Sequence, residues 1–145
     1  QTAFAVPRRT ANGIDYNRMC LIIAVLEKRL GLKFYQNDVY LNVTGGLRLD
    51  EPAADLGIAL ALISGITDRV LPDDLLAVGE IGLAGECRAV SHFDYRVKEA
   101  ARLGFGTIVC PQKNGKKMTF KTTAKLCGVS TLYDTLKLLN KETKE

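Results

Sequence analysis

The sequence predicts an α/β (α+β) fold, and three observations carry that reading. Apolar residues recur at helical spacing from Met19 to Leu30. Val39, Leu41 and Val43 alternate as a half-buried strand does, with polar Asn42 between the latter two. Further helical and strand-like runs then interleave to the C-terminal end without an internal repeat. At 145 residues and 47% hydrophobic content, the chain reads as one domain over 1–145, long enough to bury roughly 68–70% of its unfolded surface.

The elements follow in order. Gln1–Val6 alternates weakly and is expected to be the remnant of a strand whose partner lies upstream. Asp15 is placed to cap a helix over Tyr16–Leu30, with Met19, Ile22, Ile23, Leu26 and Leu30 as its apolar stripe and Gly31 as its left-handed stop. Asp38–Val43 is a strand that runs into the Gly45-Gly46 turn. Pro52 opens a helix to about Ser64 that is apolar nearly all round, so it is expected to be buried on more than one side, with Gly65 as its stop. Leu75–Ile81 reads as a strand, turned by Leu83-Ala84-Gly85 into a partner over Glu86–Val90. Asp94 is expected to cap a helix through Leu103, closed by Gly104. Thr107–Cys110 is a short buried strand ending at Pro111, and Gln112–Lys117 a polar, lysine-rich loop. Val129–Leu132 is a last strand and Tyr133 to about Leu139 a last helix.

The segment Gly45-Gly46-Leu47-Arg48-Leu49-Asp50-Glu51-Pro52-Ala53-Ala54-Asp55 carries most of the functional information. A strand, a diglycine turn and a short arm deliver the chain to the head of an apolar helix. A nucleophile there would meet unpaired backbone N–H groups and the positive end of the helix dipole, a setting that stabilises an oxyanion. The residues present are Ala53 and Ala54, and a methyl group attacks nothing.

This arrangement resembles the Lon-type proteolytic domain, in which a Gly-Pro-Ser-Ala-Gly segment supplies the serine. Here Glu51-Pro52-Ala53-Ala54-Asp55 stands in that place, with Ala53 at the serine position. The family's lysine, from a Gly-Gly-Leu-Lys segment, corresponds to Asp94 in Ser91-His92-Phe93-Asp94. A Ser-Lys pair works because a lysine of lowered pKa takes the serine proton, and Ala and Asp do neither job. The resemblance therefore implies a degenerate protease with no catalytic residue. Pro7-Arg8-Arg9-Thr10-Ala11-Asn12-Gly13, Gly79-Glu80-Ile81-Gly82-Leu83-Ala84-Gly85-Glu86 and Glu99-Ala100-Ala101-Arg102-Leu103-Gly104-Phe105 narrow the match. Together with the diglycine segment they resemble the C-terminal Lon-like domain of the RadA (Sms) family of bacterial DNA-repair proteins, over roughly Pro7 to Lys113.

What the resemblance implies is a ribosomal protein S5 domain 2-like fold and a scaffold role. Such a domain assembles a ring, hexameric by analogy, and binds DNA, single-stranded or branched, during branch migration of recombination intermediates. A recombinase is the further partner. The parent protein is an ATP-dependent helicase-like ATPase, whose zinc-binding and RecA-like modules lie in the missing N-terminal part. ATP, Mg and Zn are expected there, and no cofactor or metal in this domain. The first residue, Gln rather than Met, fits a piece of a longer protein.

Composition sets the other limits. No apolar stretch reaches the ~20 residues of a membrane span, and no secretory signal pattern opens the chain, so a cytoplasmic location is expected. Cys20, Cys87, Cys110 and Cys127 are scattered without a CxxC pair, and His92 is the lone histidine. Buried, reduced thiols are the plain reading. Gly45-Gly46 lacks the Gly-Lys-Ser/Thr of a P-loop, and Gly79, Gly82 and Gly85 lack dinucleotide spacing, so both sets read as turn glycines.

The net charge is +4, unevenly spread. Nine acidic residues face only Arg69 and Arg88 between Asp50 and Asp94, whereas Arg96 to Lys125 holds eight basic residues and one acid, Glu99. The DNA-binding candidates are Arg8, Arg9, Arg18, Lys113, Lys116 and Lys117. A solvated surface is the plainer reading of the lysines, and hydrogen bonding that fixes the first helix, or a subunit contact, that of the arginines. Two rival classes stand beside the scaffold reading: an active Ser-Lys peptidase, and a pure oligomerisation module without DNA affinity. Ser64, Ser91 and Ser130 are the only serines, and none has a well-placed base.

Overall fold

The computed structural model describes residues 1–3 and 5–139. It is a mixed structure of parallel sheet and helix, in agreement with the predicted α/β class. β1 (Arg9–Asn12) and β2 (Val39–Asn42) pair in parallel, linked by α1 (Tyr16–Leu30). α2 (Asp55–Thr67) follows a turn of 3-10 helix over Pro52–Ala54. A second parallel sheet has the order β3-β6-β7, from Leu75–Ala77, Thr107–Pro111 and Lys125–Val129. β4 (Glu80–Ile81) and β5 (Cys87–Arg88) make a separate antiparallel hairpin. α3 (Phe93–Arg102), the single turn α4 (Gln112–Lys116) and α5 (Leu132–Thr135) complete the chain.

β6 divides two cores by strand alternation. Val109 joins α1, α2 and Leu132 on one side. Ile108 and Cys110 join Phe93, Val97 and Ala100 of α3 on the other, together with Ala53 and Val78. The first core is the larger, and Met19, Ile22 and Leu26 of α1 meet Leu56, Leu60 and Ile63 of α2 in it. As expected from its composition, α2 buries six apolar side chains between Leu56 and Ile63. α1 is bounded as its sequence signals require: the Asp15 carboxylate accepts the Arg18 N–H at 2.9 Å, and Gly31 is left-handed at φ 66°.

Several elements differ from expectation, each for an identifiable reason. The strand expected over Gln1–Val6 forms instead at Arg9–Asn12, where β2 offers a partner; Phe4 lies outside the described residues. α2 runs through Gly65 and ends at Asp68, which takes the left-handed conformation at φ 52°. The strand expected over Leu75–Ile81 is broken, because the Gly79 N–H turns away to the Ala53 carbonyl at 2.9 Å. α3 begins two residues early, with left-handed His92 at its cap position, so Asp94 sits in the first turn and is not the cap. The lysine-rich loop is a helical turn, pinned by the Asn114 side chain to both backbone groups of Val90 at 2.9 and 3.0 Å. The last strand lies at Lys125–Val129 rather than Val129–Leu132, since Thr131 and Asp134 form a reciprocal capping box that starts a helix there.

Candidate functional site

The head of α2 is where the diglycine segment delivers the chain. Pro52 fits the opening of its 3-10 turn, a position that needs no N–H donor. Ala53 is buried and packs into the α3 core. It lines a cleft of ≈ 350 Å³ whose other walls include Leu76, Val78, Tyr95, Ala100 and Leu103. Glu51 and Arg96 meet at this cleft in an ion pair that ties the head of α2 to α3. The Arg96 guanidinium holds the Glu51 carboxyl below its ordinary range.

Three of the backbone donors expected to be unpaired are engaged. Ala54 N–H bonds to the Glu51 carbonyl at 3.0 Å and Leu56 N–H to the Gly79 carbonyl at 3.0 Å. Asp55 N–H bonds to the Pro52 carbonyl. Gly79 can come so close only without a side chain, because a Cβ there would lie 2.8 Å from the Cys87 sulfur. Close approach therefore explains this glycine, whereas Gly85, at φ 82°, is a turn glycine as its spacing suggested.

Beneath the head lies an ion pair that sequence reasoning passed over. Asp55 is 1% exposed, yet it is the charged residue opening an otherwise uncharged helix, a signal that was available in the sequence. Its Oδ1 accepts the Arg18 Nε–H at 2.8 Å, its Oδ2 pairs with the other arm of the same guanidinium, and Oδ2 also accepts the Ile81 N–H at 3.1 Å. The carboxylate raises the pKa of the Arg18 guanidinium. One side chain thus joins α1, α2 and β4.

Asp94, the position expected to match the family's lysine, lies elsewhere. Asp94 is exposed and borders a different groove, of ≈ 440 Å³, with His92, Asn114 and Lys117. The structure thus opens residues 53 and 94 to separate depressions. Thiol chemistry is quiet as well. All four cysteines are free, and burial pushes Cys87 up to about 12 and Cys110 up to about 11, so both are protonated and poorly nucleophilic at neutral pH.

The six basic candidates fall into distinct settings. Arg18 serves Asp55, as described. Arg9 directs its guanidinium inward, donating to the carbonyls of Asn37 at 2.6 Å and Phe34 at 2.7 Å. Arg8 is exposed, and its backbone N–H bonds to Asp38 at 2.7 Å. Lys113, Lys116 and Lys117 are exposed together on and just after α4. Nearby, Lys98 covers the Phe120 ring at 4.8 Å, so that ring is not a bare stacking surface.

Similarity to known proteins bears directly on this geometry. The family described as Lon protease (S16) C-terminal proteolytic domain matches residues 21–132. A DNA repair protein RadA from Halalkalibacterium halodurans is 48% identical over 137 residues, which is 94% of this chain and 30% of that protein. One from Synechocystis is 49% identical over 111 residues, 77% of this chain and 22% of that protein. One from Bacillus subtilis is 44% identical over 136 residues, 94% of this chain and 30% of that protein. The chain thus spans less than a third of the length of these relatives.

Proposed function

The chain belongs to the Lon protease (S16) C-terminal proteolytic domain family, and from that membership we propose that it is a proteolytically inert scaffold domain of a RadA-type DNA repair protein. The observation that carries the reading is the head of α2: residue 53 is alanine, and the adjoining N–H groups are already bonded within the protein. Nothing at that position attacks a carbonyl, and little is left to stabilise an oxyanion. Function then lies on the surface. Subunits assemble into a ring, hexameric by family analogy, and the lysines of α4 meet the phosphates of single-stranded or branched DNA during branch migration. ATP, Mg and Zn act in other parts of the protein, in the cytoplasm, with a recombinase as partner. No helix among the described residues is long and apolar enough to cross a membrane.

Two measurements on the purified chain test this. Incubation with a serine-reactive phosphonate and with casein is expected to give neither a labelled serine nor cleavage; either product would restore the peptidase reading. Mass measurement in solution, with and without DNA at low salt, is expected to show a multimer that retains DNA. A multimer without DNA retention leaves an oligomerisation module, and a monomer without DNA retention removes the scaffold role altogether.

A further inference from the structure

One edge of β2 is bonded to β1 and the other is open. Val39 N–H bonds to the Arg8 carbonyl and Val43 N–H to the Asn12 carbonyl, both at 2.9 Å. In the parallel register that pairs Val39 with Arg9 and Leu41 with Ala11, the backbone groups of Val39, Leu41 and Val43 face β1. Those of Tyr40 and Asn42 point the other way, and among the described residues no other strand pairs with β2. The strand carries neither proline nor lysine to defend that edge. Along it runs a groove of ≈ 730 Å³ whose far wall is α2, with Ala61, Gly65 and Ile66. Ala61 and Gly65 lie four residues apart on one helix face and are exposed. A Cβ built on Gly65 would meet nothing within 4 Å. α2 thus leaves a strip of small residues uncovered where a strand beside β2 would lie.

The groove has a charged end. α1 runs back from the end of β1 to the start of β2, and α2 begins beside it, where Arg18 meets Asp55. α2 packs on α1 from Leu56 to Ile63, so it runs back the same way. Its C-terminal Asp68 therefore comes to the end of the groove where Asp38 leads into β2, and both residues line it. The Asp38 carboxylate already accepts the Arg8 N–H. Asp68 is exposed, and no ion pair among the described residues engages it. It is also costly to the fold, being left-handed at φ 52° with a charge that opposes the α2 dipole. A strained carboxylate at the rim of an open groove is explained if a bound cation compensates it.

We propose that the groove between β2 and α2 takes an extended, basic segment of a partner polypeptide, added as a strand to the open edge of β2. Its backbone bonds to the N–H and C=O of Tyr40 and Asn42. Side chains beside Val39 and Leu41 turn toward α2, where Ala61 and Gly65 leave room for apolar groups, and those beside Tyr40 and Asn42 stay in water. A Lys or Arg at one end of the segment meets Asp68. That end of α2 is the opposite one from Ala53, so the groove is separate from the cleft at the helix head.

Selection of a phage-displayed library of random dodecapeptides on the full-length protein tests the proposal. Selected sequences are expected to alternate apolar and polar residues and to carry Lys or Arg at one end. A synthetic peptide of the selected sequence slows amide hydrogen exchange at Tyr40 and Asn42, and N-methylation of its backbone removes both binding and protection. Asp68→Gly weakens binding by about threefold at low salt, and the difference closes at high salt. An empty selection overturns the proposal, as do peptides that bind Asp68→Gly as tightly as the native protein at low salt. Slow exchange at Tyr40 and Asn42 before any peptide is added also overturns it, since another strand of the same protein, or a second copy, would then fill the edge.

Discussion

Asp55 shows how one side chain connects the head of α2 to the stability of the whole. A carboxylate 1% exposed is tolerable because Arg18 and the Ile81 N–H meet both its oxygens. Removing one member of a buried pair strands the other charge in a medium that solvates it poorly, which is why such losses exceed the net worth of the intact pair. Arg18→Ala is therefore expected to destabilise the protein by about 3 kcal/mol, at the low end of the range because the Arg18 side chain is 31% exposed and water partly replaces it. Urea unfolding checks this, with Asp55→Asn as the companion variant. Asn keeps an acceptor for Ile81 without a charge, so Arg18→Ala in the Asp55→Asn background is expected to cost much less than in the native one. Equal costs in both would show that Arg18 acts through packing of its stem rather than through the pair.

At the scale of elements, α2 stops at a residue poorly suited to stopping it. Asp68 takes the left-handed conformation at φ 52°, and its carboxylate stands at the C-terminal end of the helix, where negative charge opposes the dipole. Asp68→Gly removes both penalties and is expected to stabilise the protein by about 1 kcal/mol, read as a higher urea midpoint at unchanged slope. The same residue explains where the sequence was legible. α1 was readable to the residue because periodicity, an Asp cap and a terminal Gly all agree. α2 was readable at Pro52 but not at its end, because Gly65 is a conventional stop and Asp68 is not. The β3–β4 break was hidden in an uninterrupted apolar run, since only tertiary contact reveals that Gly79 bonds to Ala53. β7 was misplaced because Lys125 opens a strand whose register is set by β6, a long-range fact. At the candidate site, the place of Ala53 at a helix head was legible from Pro52, whereas the Glu51–Arg96 and Arg18–Asp55 pairs depend on which helices meet.

Over the whole molecule, charge and shape divide the labour. Acidic residues concentrate between Asp50 and Asp94, while Lys113, Lys116 and Lys117 stand exposed on and beside one turn of helix. That turn is held rigidly by Asn114 against Val90, so its lysines are presented rather than left on a floppy loop. Point charges on a fixed platform, with Phe120 covered by Lys98, suit phosphate contact better than base stacking. If α4 is the DNA surface, replacing all three lysines with Glu weakens binding at every salt concentration and flattens its salt dependence. The expected loss of slope is ~0.7–0.9 log units per decade for each phosphate contact removed. Arg8 is the control, because it is exposed and basic but sits at the far end of the sequence beside Asp38. Full slope in the lysine variant with a reduced slope in Arg8→Glu would move the interface to the β1 end. Because Arg9 and Arg18 are committed to internal hydrogen bonds, their substitution is expected to lower stability before it touches DNA affinity. A melting curve beside each binding isotherm separates the two effects.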